Sequence, residues 1–207
     1  MTRSYKHWSP DYLWRRLKDK LHQRLHPEEP WLTPAVVQTL DKHLTSDMCG
    51  LEFGSGRSTV WFARRLGRLT SVEHSSEWFD NVSRHLKKAG LENVNHLLRK
   101  NSPENDYAQA ASQTGEESLD FVLVDGIDRA KCALISLTKL KPGGILVIDD
   151  IHRYLPSESR APLARKVIDG AVDLDWQEFL NKVMDWEYIW SSNGVKDTVI
   201  YQKPVED

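Results

Sequence analysis

The stretch Glu52-Phe53-Gly54-Ser55-Gly56-Arg57-Ser58-Thr59 decides how this chain reads. It follows a short apolar stretch (Met48, Cys49, Leu51) and precedes a helix-compatible run from Val60 to Leu66. A strand that turns on two glycines into a helix exposes backbone N–H groups at the helix N-terminus. Unpaired donors and the positive end of the helix dipole favour an anion there. Gly54 and Gly56 carry no Cβ, so a ligand can come close to the backbone.

Outward from this turn, strands alternate with helices. Strands are predicted at Cys49–Phe53, Leu69–Glu73, Val94–Leu98, Leu119–Val124 and Ile145–Ile148. Helices are predicted at Ser58–Leu66, Ser76–Lys88, Ser102–Gln113 and Arg129–Leu140, with a sharp turn at Pro142-Gly143-Gly144. Such alternation gives a parallel sheet covered on both faces. The runs Phe121–Val124 and Ile145–Ile148 are apolar throughout, as burial on both faces demands. Two further strands, Trp186–Trp190 and Thr198–Tyr201, flank Asn193-Gly194, a strong hairpin signal because both residues accept positive φ. The sheet is therefore expected to hold seven strands and to end in an antiparallel pair. Before it, a helix is predicted from Ser9 to Arg24, with Tyr12, Leu13, Leu17, Leu21 and Leu25 on one stripe. Pro27 and Pro30 break it, and a helix from Thr33 to Leu44 follows, with Thr33 as cap and Pro34 at the first helical position. This divides the chain into a helical extension, residues 1–32, and a main domain, residues 33–207.

The 207 residues are 40% hydrophobic and 28% charged, which suits a soluble protein with one main core. No uncharged apolar run approaches the roughly 20 residues a bilayer span needs, and the first eight residues lack a secretory signal. Cys49 and Cys132 cannot build a disulfide framework, so a reducing, cytoplasmic setting is expected. The net charge of −2 gives no reason to expect nucleic acid or a membrane as partner. A small-molecule substrate is expected instead. The first 26 residues are locally basic (Arg3, Lys6, Arg15, Arg16, Lys18, Lys20, Arg24), either as a solvated helix face or as a partner contact such as a homodimer interface. Trp31, Trp61 and Trp78 read as core packing, and Trp186 and Trp190 with Tyr188 as one face of the hairpin. The acidic stretch 154–185 shows no motif.

In an open α/β sheet, ligands bind beyond the carboxyl ends of the strands. Those ends carry Glu52, Glu73, Asn101-Ser102, Asp125-Gly126 and Asp149-Asp150. An acid at the end of the second strand can accept hydrogen bonds from both hydroxyls of a ribose, which fits Glu73. A nicotinamide fingerprint requires a third glycine that is missing from Gly54-Ser55-Gly56-Arg57-Ser58-Thr59, and no phosphate-binding Gly-Lys-Ser/Thr occurs.

Here the chain resembles the class I S-adenosylmethionine-dependent methyltransferases. The resemblance rests on Glu52-Phe53-Gly54-Ser55-Gly56, on Glu73 in Ser71-Val72-Glu73-His74, on Asp125 in Phe121–Gly126, on the Pro-Gly-Gly turn before the fifth strand and on the terminal hairpin, and it spans about 33–203. It implies a Rossmann-like doubly wound fold with S-adenosylmethionine as cofactor. Gly54 and Gly56, with Phe53, would cradle the methionine part, Ser58 or Thr59 would lie near its carboxylate, Glu73 would hold the ribose, Asn101 or Ser102 would border the adenine, and Glu52 and Asp125 would lie near the amino group and sulfonium. A narrower resemblance, to catechol, caffeoyl-coenzyme A and macrolide-sugar O-methyltransferases, implies transfer to oxygen. It also implies a divalent ion (Mg²⁺, Mn²⁺ or Ca²⁺) on Asp125, Asp149 and Asp150. The chain departs from that pattern at Asp128, where the catechol and caffeoyl members have a catalytic lysine. His152 is the candidate general base, and Arg129 is either a solvated helix end or a grip for an acidic substrate. Two rival readings stand beside methyl transfer: a nicotinamide-cofactor oxidoreductase, and a non-catalytic binding or scaffold protein on the same fold.

Overall fold

The structure, a computed structural model, describes residues 9–100 and 107–205. Its centre is a seven-stranded sheet: β1 (Cys49–Phe53), β2 (Arg68–Glu73), β3 (Val94–Leu98), β4 (Leu119–Val124), β5 (Leu140–Asp149), β6 (Glu187–Ser192) and β7 (Asp197–Gln202), in the order β3-β2-β1-β4-β5-β7-β6. β1 to β5 are mutually parallel, and β7 runs antiparallel to both β5 and β6. The chain moves outward from β1 to β3 and then crosses back to β4. The topological switch point therefore lies between β1 and β4, where the glycine turn sits.

The helices are α1 (Pro10–Leu25), α2 (Pro34–His43), α3 (Arg57–Ala63), α4 (Ser76–Ala89), α5 (Arg129–Lys139) and α6 (Leu174–Lys182). The strand pleat sends alternate residues to opposite faces. Val122, Val124, Leu146 and Ile148 join the core beneath α5 and α6. Phe121, Leu123, Ile145 and Val147 join the core beneath α2 and α3. Residues that are apolar throughout β4 and β5 thus fill both layers, as the sequence predicted. Truncating one of them, for example Leu123→Ala, removes about 2–5 kcal/mol of packing.

Several boundaries differ from the sequence expectation. α3 ends at Ala63 rather than Leu66 because Asn93 Nδ2 donates to the carbonyls of both Ala63 and Leu66, at 2.8 Å each. Pro142-Gly143-Gly144 is not a turn before β5 but an irregularity inside it. There Gly143 (φ 78°) donates to the Lys203 carbonyl, and Lys203 donates back to that of Gly144. Only a 3₁₀ turn at Ala108–Gln113 stands in the described part of the predicted Ser102–Gln113 helix. The acidic stretch carries the unpredicted α6, capped by Asp173 Oδ1, which accepts from the Trp176 N–H at 2.9 Å. Among the described residues no helix is long and apolar enough to cross a membrane.

Candidate active site

The carboxyl ends of β1, β2 and β4 open onto a cavity of about 650 Å³ lined by Gly54–Ser58, Glu73–Ser75, Asp125–Ile127, Trp31 and the α4 residues Trp78, Asn81, Val82 and His85. Clefts of roughly 300–1,000 Å³ hold molecules of cofactor size. Its floor is bare backbone. The Gly54 N–H extends the β1–β2 ladder to the Val72 carbonyl at 2.8 Å, and the Asp125 N–H extends β1–β4 to the Phe53 carbonyl at 2.9 Å. Gly54 stands at φ 98°, a conformation that only glycine adopts freely, and a Cβ there would lie 2.7 Å from the Gly126 nitrogen. Gly56 is extended and a Cβ there would meet nothing closer than 3.7 Å, so Gly56 lines the cavity without being required by the backbone.

Glu73 is buried at the cavity wall. Its Oε1 accepts from the N–H groups of His74 (2.9 Å) and Ser75 (2.8 Å), and no hydrogen bond claims Oε2 among the described residues. That leaves one oriented acceptor for a ligand hydroxyl, as expected for a ribose. Arg57 lies over Trp31, 4.9 Å from the ring centroid, and its Nη1 is buried without a hydrogen-bond partner. An orphaned donor beside an open cavity suits an anionic group of a ligand.

Glu52 does not line the cavity. It is fully buried, and its carboxylate accepts from the hydroxyls of Ser58 (2.5 Å), Thr59 (2.6 Å) and Ser71 (2.5 Å). Thr59 Oγ1 also accepts the Gly56 N–H at 2.8 Å, which ties the acid to the glycine turn. Burial pushes Glu52 up to about 7 despite these donors. Its role is to brace the turn from below. Ser58 borders the cavity, but its hydroxyl proton is spent on Glu52. Phe53 is likewise core, packed on Tyr107 at 5.7 Å between ring centroids. Asn101 lies outside the described residues.

The β4–β5 end differs from the carboxylate triad implied by the O-methyltransferase pattern. Arg129 is neither a solvated helix end nor a substrate grip. Its guanidinium is half-buried across the two strand ends and donates to Asp125 Oδ1 (2.8 Å), to the carbonyls of Asp125 (2.9 Å) and Gly126 (3.0 Å), and to the Asp149 carbonyl. Asp149 turns its carboxyl to the Thr198 hydroxyl at 2.6 Å, and Asp150 pairs with Arg153 at 3.2 Å. Burial raises both Asp125 and Asp149 in pKa, their neighbouring carboxylates add to the rise, and the positive charge of Lys196 opposes it. The three carboxylates thus face three different partners. Among the described residues no group of three His, Cys, Asp or Glu side chains is arranged to hold a metal. As they stand, Asp125, Asp149 and Asp150 do not form the divalent-ion site that the O-methyltransferase pattern implies.

His152 is also built into the fold. It is buried, its Nδ1 accepts the Asp197 N–H at 3.2 Å, and burial holds its pKa below the usual histidine range. It is not part of the cavity wall. Of the assigned catalytic residues, Asp125 alone borders the cavity, and burial pushes it up to about 6 against the pull of Arg129. The sequence reading missed His74, His85 and Asn81 on the wall. It also placed Trp31 and Trp78 in the core, whereas both are about half exposed and line the cavity, with Trp78 Nε1 donating to the Ser55 carbonyl at 2.6 Å. For Trp78 the signal was position, since it stands in the first turn of the helix that follows β2.

A β7 strand inserted antiparallel between β5 and β6 of an otherwise parallel sheet, with a cavity at the switch point, defines a Rossmann-like fold of the methyltransferase type. Residues 51–151 match the family model described as a methyltransferase domain. That stretch, just under half of the chain, marks it as carrying an S-adenosylmethionine-dependent methyltransferase domain. Similar solved structures include an O-methyltransferase from Bacillus cereus in complex with S-adenosylhomocysteine (18% identity, 94% of this chain and 92% of that one, TM-score 0.60). Others are the O-methyltransferase TomG from Streptomyces achromogenes, involved in tomaymycin synthesis (20%, 76% and 74%, 0.54), and an rRNA methylase from Streptococcus thermophilus (13%, 82% and 96%, 0.53). At these identities the likeness extends to the fold. No curated protein matches the chain.

Proposed function

We propose that this enzyme methylates an oxygen of a small molecule, with S-adenosylmethionine seated along the β1–β2–β4 edge. The observation that carries the reading is the Oε2 of Glu73, unclaimed among the described residues, beside the Gly54 backbone, where a Cβ would clash with Gly126. In it, Glu73 accepts the ribose hydroxyls, the Gly54–Gly56 backbone carries the methionine chain and Arg57 pairs with its carboxylate. Bound S-adenosylmethionine supplies a methyl group already activated by its sulfonium. What remains for the protein is to align an acceptor in line with that methyl, exclude water and take a proton.

Support for oxygen comes from the two O-methyltransferases of the same fold. A small acceptor agrees with a net charge of −2, which offers no attraction for a nucleic acid. Asp125, held near 6, is the wall carboxylate poised to receive the acceptor proton. A reducing, cytoplasmic setting goes with this reading, since both cysteines are free. Calorimetry tests it: S-adenosylhomocysteine binds and NADH does not. NADH binding would favour the oxidoreductase, and binding of neither the scaffold. Once an acceptor is found from a panel of phenols, sugars and amines, the wild-type rate should fall below about pH 6, with Asp125→Asn abolishing that limb.

A further inference from the structure

We propose that α1 is an interfacial anchor whose outer face rests on an anionic lipid bilayer. A surface helix ordinarily turns its apolar stripe to the core. α1 is mounted the other way round. Tyr12 is its one buried residue, and its polar side meets the body. Asn193 in the β6–β7 turn donates to Asp19 Oδ1 at 2.8 Å, Gln23 donates to the other Asp19 oxygen at 2.8 Å, Arg15 lies over Gly194, and His22 meets Glu29 at 3.2 Å. On the opposite side Leu13, Leu17, Leu21 and Leu25, four residues apart, are 44%, 57%, 54% and 68% exposed, with Trp14 beside them at 57%.

The charges around that stripe select the occupant. Lys18, Lys20 and Arg24 flank it, all exposed, and none makes an ion pair among the described residues. Lys18 Nζ sits 5.1 Å from the Trp14 ring centroid. The two acids of the helix do not offset them: Asp11 pairs with Arg15, and Asp19 points inward. Leucines between cations, with a tryptophan among them, match the boundary of a bilayer, where apolar side chains enter the acyl region and basic heads stay with the phosphates. Each basic residue near an anionic surface strengthens binding roughly fivefold. A second copy of the chain fits less well, because a two-fold interface would set this cationic rim against itself. The overall charge of −2 does not bear on this, since screening confines the interaction to about 8–10 Å. α1 would lie on the surface without crossing it.

Flotation of the full chain with vesicles tests the proposal. Binding to equimolar phosphatidylcholine/phosphatidylglycerol vesicles is expected to exceed binding to phosphatidylcholine alone by at least about tenfold and to weaken with added salt. Leu17→Ser/Leu21→Ser should lower binding by about tenfold or more. Lys18→Glu/Lys20→Glu should erase the preference for anionic vesicles. These positions are exposed and distant from the cavity, so the melting temperature and the affinity for S-adenosylhomocysteine serve as controls that should not move. The proposal falls if the wild type floats with neither vesicle, or if the leucine variant floats like the wild type. It also falls if sedimentation shows a dimer that the leucine variant dissolves, since a second copy then covers the stripe.

Discussion

The two ends of the cavity edge treat their carboxylates in opposite ways. At β1–β2, Glu73 leaves one oxygen unclaimed beside an open space, and its neighbour Glu52 is satisfied by hydroxyls from beneath. At β4–β5, Asp125, Asp149 and Asp150 are each held by a separate partner, with Arg129 spanning the gap between the strands. An acid at a strand end therefore has no fixed meaning. Whether it serves a ligand or the fold depends on which donors the chain itself places within reach.

The contrast can be broken most sharply at Arg129. Arg129→Met removes one cation and the donors to three carbonyls, and it strands Asp125 in a half-buried site. Urea denaturation should show a loss of about 3–5 kcal/mol. An unchanged midpoint would mean that Arg129 is as solvated as the sequence suggested.

The next effect is a pH dependence. Burial raises Glu52 from its ordinary 4.5 to about 7, so the folded state holds a proton that the unfolded chain has released. Stability from this group is complete below about pH 4.5 and is lost as pH rises toward 7, by about 3 kcal/mol. Glu52→Gln should remove about one proton from the slope measured by denaturation across that window. Asp149, also raised to about 7 by burial, leaves a residual slope of the same sign.

Glu73→Ala should weaken S-adenosylhomocysteine binding by about 2–3 kcal/mol, while Glu73→Gln, which can still accept from the His74 and Ser75 N–H groups, should lose less. Equal losses would place the ribose elsewhere. Smallest of all, millimolar Mg²⁺ or Mn²⁺ should move the melting temperature by less than about 1 °C, because Arg129, Thr198 and Arg153 already hold the three carboxylates apart. A clear rise would show that the aspartates swing away from Arg129 and Thr198 to take an ion.

The sheet was legible because its signals are local and periodic. The apolar runs of β4 and β5, the Asn193-Gly194 turn and Glu73 at the end of β2 each need only their own neighbourhood to be read. The partners of the carboxylates were not legible, because Asp149 is met by Thr198 from 49 residues away and Asp125 by an arginine whose direction the sequence does not encode. α6 escaped notice because acidic residues mask it, although Asp173 as cap with Trp176, Phe179 and Leu180 at helical spacing was there to be seen. The stripe of α1 was read with Tyr12 on it, whereas Tyr12 is buried and the four leucines lie on the opposite, exposed side. Periodicity identifies which residues share a face, but not which way that face looks.

The contact of Gly54 with Gly126 has a practical corollary. Where main chain presses on main chain, there is no side chain to exchange, so directed evolution has no handle on the floor. Libraries built on this enzyme should spare both glycines and direct changes to side chains of the wall such as Trp31, Trp78, Asn81 and His85.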